Sequence, residues 1–333
     1  MHTFKQYKGI LFIGDPHLWS RKPDRRRDVS FQDTVLNKLM QAADIARKEK
    51  LYVVILGDLF HDDRDRDTEM LVKLTRVLQA MGDDLSVTLV GNHEKSQQVL
   101  TDDTALALLR ESNTIFTIEK TSVFAKFIIE DKNFYLGGTP YGQKIPDDIR
   151  PILPKNERDK GETIWITHHD LAFEKTYPGA VKPSEIQHCF LAVNGHVHQE
   201  QKPIQTGQTC WWNPGNITRL SVDCAKQIPK VWKWTPAQGN QLEGIPLVYQ
   251  ENIFNDSDRR FGIPTQYATA PIEQGSRFVK MMITDEDKDF GGDADKLQKA
   301  ISALAQASNL APELLSDLDM LFREAQNNKT PYK

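Results

Sequence analysis

Five short apolar runs in this chain are each followed closely by a polar segment that carries histidine, carboxylate or amide side chains. The runs are Phe12-Ile13, Leu51 to Leu56, Val87 to Val90, Ile164 to Ile166 and Phe190 to Val193. Continuous apolar runs rich in β-branched residues are typical of strands buried on both faces. We therefore predict that the polar residues just past their carboxyl ends gather along one rim of a sheet.

The stretches between the first three runs have helical periodicity. Apolar residues recur at helical spacing from Phe31 to Lys50 and again from Glu69 to Met81. An alternation of strands and helices with right-handed crossovers predicts that these strands form a mostly parallel sheet.

Two later segments predict antiparallel hairpins. Phe124 to Ile129 is followed by Phe134 to Leu136, and Val231 to Trp234 is followed by Ile245 to Tyr249, each across a polar or glycine-containing turn. The first hairpin would begin a second sheet packed on the first. The pattern thus predicts an α/β fold with two sandwiched, mixed β-sheets flanked by helices.

The end of the chain changes character. A polar, turn-rich stretch from about Asn252 to Gln274 indicates a linker. Beyond it, Phe278 to Ile283 predicts a strand, and Asp293 to Asn327 predicts one or two amphipathic helices. We predict a main domain at 1–255, and at 256–333 a linker with a small accessory domain.

Composition favours an ordinary soluble enzyme. The chain has 333 residues and a formal net charge of −4, which excludes wholesale coating by nucleic acid but leaves room for a local basic groove. Its three cysteines are too few for a disulfide framework and suit a reducing cytoplasm. We expect no membrane association, because no signal-peptide core or apolar run of about 20 residues is present.

Seven of the nine histidines fall within the five polar segments. Those segments are Asp15-Pro16-His17, Gly57-Asp58-Leu59-Phe60-His61, Gly91-Asn92-His93-Glu94, Thr167-His168-His169-Asp170 and Gly195-His196-Val197-His198. Carboxylate, imidazole and amide ligands that converge from distant segments are what two metal ions about 3.5–4 Å apart require. We therefore predict a two-metal site.

The order and spacing of these segments, over roughly residues 9 to 220, resemble the calcineurin-like metallophosphoesterase superfamily. Within it, Gly57 to His61 and the segment from Asn213 to Leu220 are most similar to the SbcD-type (meiotic-recombination-type) DNA repair nuclease subunits. His61 as a loop residue and Pro214-Gly215 as a plain turn are the structural alternatives. The resemblance implies a four-layer metallophosphoesterase sandwich with a small C-terminal α+β accessory domain of the capping type.

The resemblance also implies a role for each residue. One ion would be held by Asp15, His17 and His198, the other by Asn92, His168 and His196, with Asp58 bridging both. Ligands of oxygen and nitrogen without thiolate favour Mn²⁺, with Mg²⁺, Fe and Zn²⁺ as alternatives. Hydroxide held between the ions would attack the phosphodiester, while His93, assisted by His61, would serve the leaving group. Glu94 occupies the position where the superfamily pattern has Asp. The extra methylene of Glu94 could change how the neighbouring His93 ring is oriented.

The implied function is a DNA exonuclease or endonuclease in recombination or repair. Its partners would be DNA and an SbcC-type coiled-coil ATPase subunit, with a homodimer also implied, and its location would be the cytoplasm, or the host cytoplasm if a phage encodes it. Arg25, Arg26 and Arg27 follow the first ligand pair and are candidate DNA-backbone contacts, although charge runs are often solvated faces. The alternatives are a phosphomonoesterase (protein phosphatase or nucleotide phosphatase), a cyclic-nucleotide phosphodiesterase and a non-catalytic binding module.

Overall fold

The computed structural model describes residues 1–23, 25–95, 99–173 and 181–255. The linker and accessory domain predicted at 256–333 lie outside the described residues. That part of the domain division therefore remains a prediction.

Strands and helices alternate at the start of the described chain, and strands dominate after residue 115. In chain order the elements are β1 (His2–Phe4), β2 (Gly9–Ile13), α1 (Phe31–Glu49), β3 (Leu51–Ile55), α2 (Thr68–Gln79), β4 (Val87–Leu89), α3 (Ala105–Glu111), β5 (Phe116–Ile118), β6 (Ser122–Ile129), β7 (Lys132–Thr139), β8 (Glu162–His168), β9 (Cys189–Gly195), β10 (Gln201–Thr206), β11 (Thr209–Asn213), β12 (Lys230–Trp234) and β13 (Glu243–Pro246). Short 3-10 helices lie at Val222–Cys224 and Pro236–Gln238.

These strands form two mixed sheets. The six-stranded sheet has the order β13-β12-β2-β3-β4-β5, and the seven-stranded sheet has the order β1-β6-β7-β8-β9-β11-β10. The three opening strands β2, β3 and β4 are parallel, as predicted, with Phe12 opposite Val54. Both predicted hairpins are present, β6 with β7 and β12 with β13.

The two predicted helices form with local signals at their ends. At the start of α1 the Ser30 side chain accepts a hydrogen bond from the backbone amide of Asp33 (3.2 Å), and at the start of α2 Asp67 caps Met70 (2.7 Å). Both helices, with α3, contribute to one apolar cluster that includes Leu11 and Val53 of the six-stranded sheet. The helices therefore cover one face of that sheet.

The other face of the six-stranded sheet packs on the seven-stranded sheet. Alternate residues of β2 and β3, such as Phe12 and Val54, join Leu136, Ile166 and Val193 in the apolar layer between the sheets. On the far side of the seven-stranded sheet, Trp165 and Trp211 pack with residues of irregular segments, including Ile149, Leu153, Leu171 and Ile186. The predicted α/β sandwich is confirmed, and in the described chain this fourth layer consists of loops and turns.

The strand assignments place all five polar segments at or just past the carboxyl end of a strand. However, the segments following β2, β3 and β4 belong to the six-stranded sheet, and those following β8 and β9 belong to the seven-stranded sheet. The expectation of a single sheet rim was wrong, because the ligand-bearing strands are shared between two facing sheets. Within the described chain, no helix has both the length and the apolar character that crossing a bilayer requires.

Candidate metal centre

The backbone turns sharply where the predicted ligands leave their strands. Asp15, His17, Asp58 and His196 all have positive φ angles, of 33°, 46°, 47° and 74°. Such angles are uncommon for residues other than glycine and persist where the surrounding structure enforces them, often at functional sites. Gly57, with φ of 107°, precedes Asp58, and a Cβ added there would collide with the His168 ring. The tight packing of strand ends thus explains the glycine.

Asp58 lies at the centre of the predicted ligands. In the described chain its carboxylate belongs to two groups whose potential ligand atoms all lie within 4.8 Å of one another, one with His17 and His198 and one with His168 and His196. Asp58 Oδ2 lies 3.6 Å from His17 Nε2 and 3.2 Å from His168 Nε2. One carboxylate shared by two imidazole pairs is the geometry expected of a residue that bridges two ions.

Asn92 belongs to the same half of the centre as His168 and His196. Its Oδ1 atom is 2.8 Å from His196 Nδ1 and 3.2 Å from His168 Nε2. In the other half, the Nε2 atoms of His17 and His198 approach to 2.9 Å. The structure therefore brings six of the seven predicted ligands together in the predicted two halves.

Asp15 is buried next to this cluster but is not in either group. Both of its carboxylate oxygens accept hydrogen bonds from the backbone amide of His196 (3.1 and 3.0 Å), and Oδ1 lies 3.6 Å from His168 Nδ1. Burial raises the pKa of the Asp15 carboxyl to about 7. Its role as a ligand stays a prediction.

The residues present fit a pair of cations. Asp58 Oδ2 and His17 Nδ1 are buried and have no hydrogen-bond partner in the described structure. Burial lowers the pKa of His17 well below its usual value and that of His198 to about 4, so both rings are neutral, the form that binds metal. In the half of the centre that contains His17 and His198, the buried Asp58 carboxylate faces neutral imidazole rings, and a bound cation would satisfy these groups.

The pKa of His168 shifts in the opposite direction from those of His17 and His198. Burial alone would lower its pKa, but the Asp58 carboxylate outweighs burial and raises the pKa of His168 to about 10. In the same way, burial would raise the pKa of Asp58, but the charge of His168 holds it well below its usual value. A protonated His168 thus supplies the positive charge that this carboxylate needs when no cation is bound.

Contacts outside the ligand set orient the histidines. His168 Nδ1 donates to the backbone carbonyl of Leu56 (2.7 Å), which leaves Nε2 directed at Asp58. His196 Nε2 lies 2.7 Å from Asp170 Oδ1, which leaves Nδ1 directed at Asn92. Such outer contacts set the ring orientation and basicity of metal-binding histidines. Sequence reasoning left the role of Asp170 open and missed Leu56, whose contact comes from its backbone and has no sequence signal.

His93 is held at two points beside the centre. Its backbone amide donates to Asp58 Oδ1 (3.0 Å), and its Nδ1 donates to the backbone carbonyl of His61 (2.7 Å). The rings of His61 and His93 stack with centroids 5.0 Å apart, and His93 meets His17 edge to face at 4.8 Å. His93 and His61 therefore form a pair next to the predicted ligands, and their catalytic role stays a prediction.

Glu94 is fully buried and does not hold the His93 ring. Its Oε2 accepts hydrogen bonds from the backbone amides of Gly91 (2.7 Å) and Asp58 (3.0 Å), and its Oε1 accepts one from Phe60 (3.2 Å). Burial, together with the Asp58 charge, raises the pKa of Glu94 to about 8. Its longer side chain thus stabilises the loop that presents Asp58, and the orientation of His93 comes from His61 instead.

The arginine run divides into one buried and two exposed residues. Arg26 is 1% exposed and forms a bidentate ion pair with Asp28 (2.6 and 2.8 Å). It also donates to the carbonyl oxygens of Thr218 (2.7 Å) and Arg219 (2.9 Å). The prediction that Arg26 contacts DNA was wrong, because its guanidinium is fully engaged inside the protein. Arg25 and Arg27 are exposed and remain predicted contacts.

Comparisons with known proteins place the segments of this site within a matched family model. The family model for the calcineurin-like phosphoesterases matches residues 9–220. Protein 244L of invertebrate iridescent virus 6, named as a candidate phosphoesterase, is 30% identical over 203 residues, covering 58% of this chain and 66% of the viral protein. The solved structure of Haemophilus influenzae NAD nucleotidase (NadN) aligns with a TM-score of 0.44 and 11% identity, over 75% of this chain and 52% of that chain. This chain therefore spans less than two thirds of the length of either protein.

Proposed function

Because this chain belongs to the calcineurin-like phosphoesterase family, we propose that it is a metal-dependent phosphodiesterase that cleaves DNA during recombination or repair. The coarser assignment, a hydrolase of phosphate esters that uses divalent metal ions, is the chemistry of the family. The observation that carries the proposal is the sharing of Asp58 between two histidine pairs. DNA as the substrate, Mn²⁺ as the metal and the SbcD-type subfamily are parts of the proposal.

Seven side chains would hold the two ions. Asp58 would contact both, Asp15, His17 and His198 would complete one site, and Asn92, His168 and His196 would complete the other. Bound divalent ions would supply a water nucleophile at neutral pH and would neutralise charge on the phosphoryl oxygens. Asp170 and Leu56 keep the ring nitrogens of His196 and His168 directed toward the site.

His93 is the proposed group for the leaving oxygen. Since Nδ1 donates its hydrogen to the His61 carbonyl, Nε2 is the ring atom that can exchange a proton with a substrate. The hydrogen bond from the His93 amide to Asp58 ties the position of this ring to the bridging carboxylate. General acid catalysis by a positioned imidazole contributes about 10²–10⁴-fold to a rate.

The preference for a nuclease over a phosphatase rests on two segments. Gly57 to His61 places a histidine three residues after the bridging Asp58, and the carbonyl and ring of that histidine both contact His93. The segment Asn213 to Leu220 packs under the site, because Ile217 donates its backbone amide to Gly14 and Asn216 donates to His198. Both segments resemble those of SbcD-type nucleases.

The proposed partners are DNA and an SbcC-type coiled-coil ATPase, with a possible homodimer. The leucine-rich helices predicted at Asp293 to Asn327 are candidates for docking and lie outside the described residues. Pull-down with a coiled-coil ATPase from the same genome, together with the solution mass of the protein, tests both proposals.

Substrate choice is tested with one panel. We expect purified protein with Mn²⁺ to cleave single- or double-stranded DNA, and we expect Asp58→Asn to abolish that cleavage. Asp44→Asn removes an exposed carboxylate on α1 and is the matched control. A phosphomonoester and a cyclic nucleotide complete the panel.

Each outcome separates one function from the others. Cleavage of DNA that Asp58→Asn abolishes and Asp44→Asn preserves supports the nuclease. Cleavage of the phosphomonoester or the cyclic nucleotide alone replaces it with the corresponding small-substrate enzyme. Inertness toward all four substrates, with no metal retained, identifies a non-catalytic binding module.

A further inference from the structure

A cleft of about 360 Å³ opens beside the metal centre. Three loops line it: Trp19 comes from the first, His61 to Asp63 from the second, and Asn92, His93 and Lys95 from the third. Its volume lies within the roughly 300–1,000 Å³ of pockets that bind small molecules. Asn92 is a predicted metal ligand and His93 is the proposed acid. A substrate group bound in this cleft would therefore lie next to the reacting phosphate.

Planar side chains lead from the metal centre into the cleft. The ring of His61 stacks on His93 at 5.0 Å with an angle of 26° between the planes, and Trp19 lies 4.6 Å from His61 at 47°. Trp19 is half-buried and packs against the apolar core below the helices, so its position is supported from behind. A supported indole that lines an open cleft is a stacking surface for a planar ligand.

The charges in the cleft indicate which part of a nucleotide it accepts. Asp62 and Asp63 line it together with Lys95, and Asp63 Oδ2 is buried without a hydrogen-bond partner in the described chain. Two carboxylates repel a phosphate group, which would therefore lie toward Lys95 and His93. The same carboxylates accept hydrogen bonds from the exocyclic amino groups of bases. A neutral, planar group with N–H donors satisfies both Trp19 and the aspartates.

We infer that this cleft binds the base of the nucleotide next to the scissile phosphate, with the base stacked on Trp19 and its N–H donors directed to Asp62 and Asp63. The inference rests on the proposed nuclease function and adds a substrate-binding subsite to it. If the inference is correct, the cleavage rate depends on whether a base is present at one position, on one side of the phosphate that is cut.

The experiment compares Trp19→Ala with removal of the base itself. A series of oligonucleotides, each with one abasic residue at a different position, is digested by the wild-type protein and by the variant with Mn²⁺. On intact DNA, Trp19→Ala should lower kcat/KM by about 5- to 150-fold, the range expected for loss of one stacked base. Wild-type cleavage should fall by a similar factor only at the phosphate on one side of the abasic residue.

The decisive measurement is the combination of both changes. If base and indole act through one contact, Trp19→Ala should have little further effect at the phosphate beside the abasic residue. General damage to the fold by Trp19→Ala would lower the cleavage of intact DNA and of abasic DNA by the same factor. The inference is therefore overturned if the loss from Trp19→Ala and the loss from the missing base multiply. Trp19→Phe retains a stacking ring and should keep most of the activity.

A second variant tests the aspartates without altering the stack. Asp62→Asn preserves an acceptor for the backbone amide of Arg64 but replaces one carboxylate oxygen with a donor. It should reduce discrimination between cytidine, which has an amino group, and thymidine, which has none; unchanged discrimination would overturn the hydrogen-bonding part. If the wild type cleaves no oligonucleotide at all, the proposed function fails and this inference fails with it. If it cleaves DNA but the losses multiply, only the inference fails.

Discussion

Replacement of Arg26 by alanine should destabilise the protein and should not weaken the proposed binding of DNA. The Arg26 side chain is 1% exposed and pairs with Asp28 in the loop before α1. It also donates to the carbonyl oxygens of Thr218 and Arg219, which lie 192 and 193 residues further along the chain. The guanidinium also lies 5.1 Å from the ring centre of Phe31. This residue therefore stabilises a long-range junction.

The magnitude follows from what the truncation leaves behind. Asp28 would keep a buried carboxylate without its bidentate partner, and breaking such a buried pair costs about 3–5 kcal/mol. Two backbone carbonyls would also lose a charged donor. Against a total stability of about 5–15 kcal/mol for a typical protein, this is a large fraction.

The loss should depend on pH in a defined direction. In the wild type, burial alone would raise the pKa of Asp28, but the hydrogen bonds from Arg26 lower it below the usual value. The carboxylate thus contributes stability that is present above the unfolded-state pKa of about 3.9 and is lost as the pH falls below it. Without Arg26, burial would raise the pKa of Asp28, so the variant should lose stability as the pH rises above about 4. The gap between the two proteins should be smaller at pH 3 than at pH 7.

Denaturant unfolding at both pH values measures this gap. Arg27→Ala is the matched control, since Arg27 is exposed and should change stability by less than about 0.5 kcal/mol. The double change Arg26→Ala with Asp28→Asn should recover part of the loss by removing the buried charge. An Arg26→Ala protein of wild-type stability, with weaker DNA binding and a shallower salt dependence, would refute the structural role.

Four further outcomes are expected. His93→Gln should bind Mn²⁺ with unchanged affinity and lose about 10²–10⁴-fold in turnover; titration calorimetry and initial rates check this, and a near wild-type rate would remove His93 from the mechanism. Metal binding at neutral pH should release protons, because His168, whose pKa is raised to about 10, must lose a proton to become a ligand; equal heats in buffers of different ionisation enthalpy would contradict this. Glu94→Ala should destabilise the protein by several kcal/mol, since each of three buried amides left without an acceptor costs about 1–3 kcal/mol; denaturant unfolding measures the loss, and a change below about 1 kcal/mol would show that water replaces the carboxylate. Burial lowers the pKa of Lys38 to about 7, so the stability of the wild type should rise between about pH 7 and 10 by up to about 1.4 kcal/mol per pH unit relative to Lys38→Met, because only the unfolded chain keeps that proton; parallel pH profiles of the two proteins would refute this.

The candidate ligands could be proposed from the sequence because each lies next to a predicted strand in the chain. Each apolar run that predicts a strand lies within a few residues of the group that it positions, so local pattern and family resemblance were enough to propose Asp58, Asn92, His168 and His196 as ligands. The same locality explains α1 and α2, whose apolar spacing and N-terminal caps lie within the helices or next to them. Local periodicity reports which face of an element is buried, which is information that the sequence carries directly.

The tertiary structure decided the points that depend on distant segments. Arg26 and Arg27 are neighbours of the same type, yet one is buried by the strand-end segment at Thr218 and the other is exposed. The division of the candidate ligands between two sheets depends on how the strands pair. Glu94 accepts a hydrogen bond from the backbone amide of Asp58, and the Trp19 ring contacts the His61 ring. Each of these contacts joins loops that follow different strands. Burial and electrostatic environment result from such long-range packing, and a linear pattern of residue types does not contain them.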